Sequence, residues 1–91
     1  MSPLKKVLFE PRARDEYFWW KVNDQKGVER IKALVNDIKV SPFSGMGKPE
    51  PLKYQKKGYW SRRIDKVHRL VYKVTDVAII IISCRYHYEK K

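Results

Sequence analysis

A chain of 91 residues is long enough to bury one core and too short for two, so a single domain over residues 1–91 is expected. Hydrophobic residues at 43%, with three tryptophans and six tyrosines, exclude a disordered chain, and 21 Lys and Arg against 10 Asp and Glu leave a net charge of +11 that calls for a polyanionic partner. No apolar run approaches the roughly 20 residues of a spanning helix, no apolar stretch follows the N-terminal MSPLKK, and the lone Cys84 cannot form an intramolecular disulfide. A membrane is therefore the weakest candidate partner and a reducing cytoplasm is expected. His68 and His87 lie far apart with no cysteine cluster, so neither a metal nor another cofactor is expected.

LKKVLF is a short strand, and the EP after it stops the strand and opens a helix, because proline suits the first helical position. The helix runs from about Pro11 to Asn23, with Ala13, Tyr17 and Trp20 in a stripe that Phe18 widens. Trp19 and Trp20 are adjacent and cannot both point inward from so narrow a stripe. Asp24 is an N-cap for a second helix to about Lys39, whose core face carries Val28, Ile31, Leu34, Val35 and Ile38. Two helices with almost no loop between them form a hairpin. SPFSGMGKPEP, with three prolines and two glycines, is neither helix nor central strand. The pattern then turns to β: LKYQKK, YWSRRI, HRLVYKV and VAIIIISCRYHY, with short gaps between them. The expected fold is α+β, two N-terminal helices on an antiparallel sheet of four to five strands, in the order β-α-α-β-β-β-β.

Side chains alternate along a strand, so each strand divides into two sets. Trp60, Arg62 and Ile64 oppose Tyr59, Ser61 and Arg63; Leu70, Tyr72 and Val74 oppose Arg69, Val71 and Lys73. In the last strand Ile80, Ile82, Cys84, Tyr86 and Tyr88 oppose Ile79, Ile81, Ser83, Arg85 and His87. Were Arg63, Arg69 and His87 to share the face away from the helices, that face would be cationic with an imidazole on it. By residue type alone the two arginines read equally well as solvated strand residues. Glu50 sits between two prolines that restrict its backbone, which suits a group held in place, and His68, just after a turn, reads as structural or solvated.

At GKPEPLK, WSRRI, HRLVY and the terminal CRYHY the chain resembles the YoeB-like (Txe/YoeB) toxins of bacterial toxin-antitoxin modules, a branch of the RelE group. The likeness runs from the first strand through Tyr88. It implies a RelE-like fold and a ribosome-dependent endoribonuclease that cuts mRNA in the decoding site. It also implies roles: Glu50 as general base, His87 as general acid, Arg63 and Arg69 on the scissile phosphate, and Lys48, Lys53 and Tyr88 lining the site. These residue types suit metal-independent cleavage, in which the ribose 2′-hydroxyl loses a proton as it attacks phosphorus and the departing 5′-oxygen gains one. Arginine forks hold the phosphate oxygens as charge builds.

The partners implied are the 70S ribosome with its mRNA, a cognate acidic YefM-like antitoxin, and a second copy of the chain in a homodimer, with Trp19 available to either protein interface. Lysines outside the site, such as Lys5, Lys6, Lys26 and Lys32, would meet ribosomal RNA phosphates. Two features depart from the family pattern: Glu89, Lys90 and Lys91 follow the His-Tyr pair, and a basic PRAR opens the first helix. The rival reading is a non-catalytic basic module that binds RNA or an acidic protein.

Overall fold

The computed structural model describes residues 5–52 and 58–86. Strand β1 (Lys6–Phe9) leads into helix α1 (Pro11–Asn23) and helix α2 (Gln25–Val40); strands β2 (Glu50–Pro51), β3 (Tyr59–Arg63), β4 (Arg69–Val74) and β5 (Ala78–Ser83) follow. Pro11 stands at the first position of α1. Asp24 ends one helix and starts the next: its N–H donates to the Trp20 carbonyl at 2.7 Å, and its Oδ1 accepts from the Gly27 N–H at 3.1 Å. One residue closes both termini, which is why the hairpin needs no loop.

The described strands form one sheet in the order β1-β5-β4-β3-β2. The last four elements are an antiparallel meander, as expected, but β1 runs parallel to β5, pairing Lys6 with Ala78 through Phe9 with Ile81. The sheet is therefore mixed. A strand's direction beside a partner some seventy residues away leaves no local trace, whereas hairpin neighbours are antiparallel by connection. Another difference concerns β2, Glu50–Pro51, which lies inside the stretch expected to be irregular; the ladder continues one step through the Leu52 N–H to the Tyr59 carbonyl at 2.9 Å, and the rest of the expected LKYQKK strand, residues 53–57, lies outside the described residues.

The helices cover one face of the sheet. Ala13, Trp20, Val28, Ile31, Leu34 and Ile38 pack on Leu70, Tyr72, Ile79 and Ile81, with Tyr17 and Val35 half-buried at the margin. Phe18 does not widen the inward stripe: it is 65% exposed, one position off the row that faces the sheet. Lys5, expected among the free surface cations, instead donates to the Thr75 and Asp76 carbonyls at 2.9 and 2.8 Å and ties down the β4–β5 turn.

Gly27 is required by packing. A Cβ there would lie 2.0 Å from the buried Trp20 ring. Gly27→Ala is expected to destabilise the protein by about 1–3 kcal/mol through overpacking, despite the roughly 1 kcal/mol that alanine gains over glycine in a helix. Urea denaturation measures the balance, and a more stable variant would show that the indole yields.

Candidate active site

Directly paired residues on neighbouring strands share a face. Glu50 pairs with Ser61, Ser61 with Val71, and Val71 with Ser83, forming one row across four strands on the side away from the helices. One step along, Arg63 pairs with Arg69 on the same side. Alternation placed both arginines correctly.

The last strand does not obey simple alternation. Tyr72 pairs with Ile81 while the preceding Val71 pairs with Ser83, so Ile82 is an extra residue in a bulge. Ile79 and Ile81 face the helices, Ser83 turns onto the Glu50–Arg69 side, and Cys84 returns to the core. The expected set of Ile79, Ile81, Ser83, Arg85 and His87 is thus broken by the bulge. The strand also ends at Ser83 instead of running to its tip.

Glu50 and Arg69 meet at the edge of this face. Arg69 Nη1 donates to Glu50 Oε2 and to Ser61 Oγ, each at 3.2 Å. The carboxylate side chain is 58% exposed and the guanidinium side chain 18%, so the pair is open on the acidic side and backed by protein on the basic side. Arg63 is exposed; its backbone is held by its N–H to the Gly47 carbonyl at 2.7 Å and by Arg30 Nη2 on its own carbonyl at 3.2 Å. Lys48, also exposed, lies two residues before Glu50 in a left-handed conformation with φ 52°. Lys53, His87 and Tyr88 lie outside the described residues. Among the described residues, no three of His, Cys, Asp and Glu gather as a metal-ligand set.

On the opposite side of β3 lies a residue whose role sequence reasoning missed. Arg62 is fully buried on the helix side of β3. Its five donors are all used: Nε on Tyr72 Oη at 3.2 Å, Nη1 on Asp37 Oδ2 at 2.6 Å and the Met46 carbonyl at 3.0 Å, and Nη2 on the Ser41 and Ser44 carbonyls at 2.5 and 2.9 Å. Asp37 Oδ2 also accepts from the Met46 N–H at 3.0 Å, and Tyr72 Oη donates to the Pro42 carbonyl at 2.6 Å. The irregular stretch from Ser41 to Met46 is wrapped around one guanidinium, which fixes the approach to Glu50. Gly45 takes part by necessity: its φ is +116°, and a Cβ would sit 2.2 Å from Asp37 Oδ2. Hydrogen bonds from Arg62 and from the Met46 N–H hold the Asp37 carboxyl below the usual carboxylate range, whereas burial pushes the Tyr72 hydroxyl up. The available signal was an arginine alternating with Trp60 and Ile64 on a core-facing set.

A second unanticipated arrangement sits where the chain leaves β5. Cys84 donates its N–H to Glu16 Oε1 at 2.7 Å and receives Trp20 Nε1 on its carbonyl at 2.8 Å. Burial, aided by Glu16 and opposed by Arg85, pushes its thiol up to about 12, so it stays protonated and serves as packing. Trp19 is neither core nor bare surface: the Arg85 guanidinium lies over its ring at 3.7 Å.

The comparisons with known proteins agree with this architecture. Residues 9–88 match the model of a family described as the YoeB-like toxin of bacterial type II toxin-antitoxin systems. Toxin YoeB of Escherichia coli K12 is 47% identical over 83 residues, covering 91% of this chain and 99% of that protein, and Toxin YoeB of Streptomyces coelicolor is 49% identical with the same coverage. The YoeB dimer of Staphylococcus aureus superposes with a TM-score of 0.89 at 44% identity over 94% of this chain and all of that one. The toxin in a heterotetrameric YoeB–YefM complex from the same organism gives 0.84 at 44% identity, with the same coverage. YafQ in the E. coli DinJ–YafQ complex, at 17% identity over 93% of this chain and 94% of that one, shares the fold with a TM-score of 0.78. By sequence match along nearly its whole length, and by the fold it shares with the solved YoeB structures, this chain belongs to the YoeB-like toxins of bacterial type II toxin-antitoxin systems.

Proposed function

We propose that the protein is a ribosome-dependent endoribonuclease that cleaves mRNA in the decoding site and thereby stops translation. The observation that carries this reading is the Glu50–Arg69 pair: a carboxylate open to solvent, 3.2 Å from a cation backed by Ser61, with Arg63 directly opposite Arg69 on the same face. An incoming phosphate competes with Glu50 for the Arg69 fork, which matches phosphate oxygens as well as it matches a carboxylate. Once the fork is taken, Glu50 is left beside the phosphate to accept the proton of the attacking 2′-hydroxyl. Arg63 and Arg69 then neutralise the charge that develops as phosphorus becomes five-coordinate. His87 donates the proton to the leaving 5′-oxygen, and Lys48, Lys53 and Tyr88 bind the neighbouring nucleotides. No step requires a metal ion.

The net charge of +11 supports docking on ribosomal RNA, with affinity that falls steeply as salt rises. The relatives from Staphylococcus aureus, a dimer in one structure and bound to YefM in another, support a homodimer and a cognate acidic antitoxin for this chain as well. A single cytoplasmic domain of 91 residues fits these partners.

The test is to add the purified protein to translating ribosomes and map the 3′ ends of the mRNA. Ends that accumulate within the decoding site are expected. Intact mRNA together with salt-sensitive ribosome binding would favour the rival reading of a basic module without catalysis.

A further inference from the structure

The three residues after β5 are fastened one by one. Cys84 is held by Glu16 and Trp20, and Arg85 is stacked between the rings of Trp19 at 3.7 Å and Tyr86 at 4.6 Å. Tyr86 is the unusual one: with φ 60° it is a non-glycine residue in the left-handed region, a conformation that persists only where surrounding contacts impose it. Its N–H donates to His68 Nδ1 at 2.7 Å, and its carbonyl accepts from the Arg69 N–H at 3.2 Å. His68 and Arg69, the first residue of β4, thus clamp Tyr86 from both of its backbone polar groups.

His68 is itself immobilised. Its backbone N–H donates to Asp65 Oδ1 at 2.6 Å, and its ring lies edge-on to Trp20 at 4.9 Å and 5.0 Å from the Tyr86 ring. To accept from an amide, Nδ1 must present its lone pair, so the ring proton is on Nε2. The acceptor is aimed at the amide of the last residue before position 87. The carbonyl of that same residue, to which residue 87 is bonded, is held by the backbone of Arg69, whose side chain reaches Glu50.

We propose that His68 is a positioning residue for the cleavage step: its Nδ1 locks the left-handed turn at Tyr86, the residue bonded to His87, and cleavage depends on that lock. This rests on the reading of His87 as general acid. His68 touches no substrate; it acts through one backbone amide. Asparagine places Oδ1 as many bonds from the backbone as Nδ1, so it retains the acceptor, whereas glutamine carries its amide one bond further out and alanine carries none.

The experiment compares wild type with His68→Ala, His68→Gln and His68→Asn, measuring single-turnover mRNA cleavage at saturating ribosomes, ribosome affinity, thermal melting and hydrogen exchange of the Tyr86 amide. Alanine and glutamine are expected to slow cleavage about 10²-fold, the scale of a misplacement near 1 Å. Ribosome affinity is expected to be unchanged, the Tyr86 amide to lose protection, and asparagine to restore most of both the rate and the protection. An alanine variant that cleaves at the wild-type rate, or an asparagine variant as slow as alanine, overturns the proposal. Unchanged Tyr86 exchange in the alanine variant overturns it independently, and that measurement decides even if an unstable alanine variant leaves only the asparagine and glutamine rates to compare. Failure of the wild type to cleave at all counts against the endoribonuclease reading, and the exchange data still report on the lock.

Discussion

Arg62→Met is expected to lose roughly 3–5 kcal/mol of stability, because several acceptors lose one buried guanidinium together and each buried polar group left unpaired costs about 1–3 kcal/mol. For a small domain whose whole stability is about 5–15 kcal/mol, that is a large share of the total. Methionine fills much of the volume, so the loss is mainly polar: Asp37, Tyr72 and the carbonyls of Ser41, Ser44 and Met46 lose their shared donor at once. Urea or thermal unfolding gives the magnitude, and a change below about 1 kcal/mol, the range of an exposed pair, would sink the argument that this guanidinium organises the 41–46 stretch. The same clasp has an acid signature. Because the folded state holds Asp37 below its ordinary value, its contribution is complete above about pH 4 and is lost as pH falls through the lowered value. The Asp37→Asn protein is expected to lack that part of the acid-limb slope.

Glu50→Gln is expected to slow mRNA cleavage on the ribosome by about 10²–10⁴-fold, the usual contribution of a positioned general base, while ribosome binding is retained. Glutamine is chosen over alanine because its amide oxygen still accepts from Arg69 Nη1, which leaves the cationic face near its native arrangement. The loss then reports the proton acceptor and not a displaced arginine. Cleavage products should keep the same ends at lower yield. A variant within a few-fold of wild type would remove Glu50 from the base role, and with it the reason to read this sheet edge as a nuclease site.

Arg62 and Glu50 also mark how far the amino-acid sequence alone reaches. Arg63 and Arg69 lie on one face because strands joined by a short turn are antiparallel and side chains alternate, both of which are local facts; Glu50 read as part of an irregular loop, and its pairing with Ser61 had no local sign. Helix boundaries were legible for the same reason: Pro11 and Asp24 act on their immediate neighbours. Arg62 could be placed on the core side, but its partner Asp37 is 25 residues away on another element, and the pairing depends on how the helix seats on the sheet. The bulge at Ile82 was invisible because four consecutive isoleucines carry no phase. His68 looked idle because its meaning lies in an amide 18 positions further on.

The parallel contact between β1 and β5 bears on how the protein is made. Strand β5 lies between β1 and β4, so the first strand synthesised waits beside an empty lane until the last has been translated. Trp20 likewise lacks the Cys84 carbonyl that its indole N–H needs, and α1 has no Cys84 amide for Glu16. A nascent chain therefore carries an unfinished sheet with its apolar side open, and pairings of such long sequence separation form late. The complete sheet of this toxin, and the seat of α1 upon it, therefore exist only once β5 has been made.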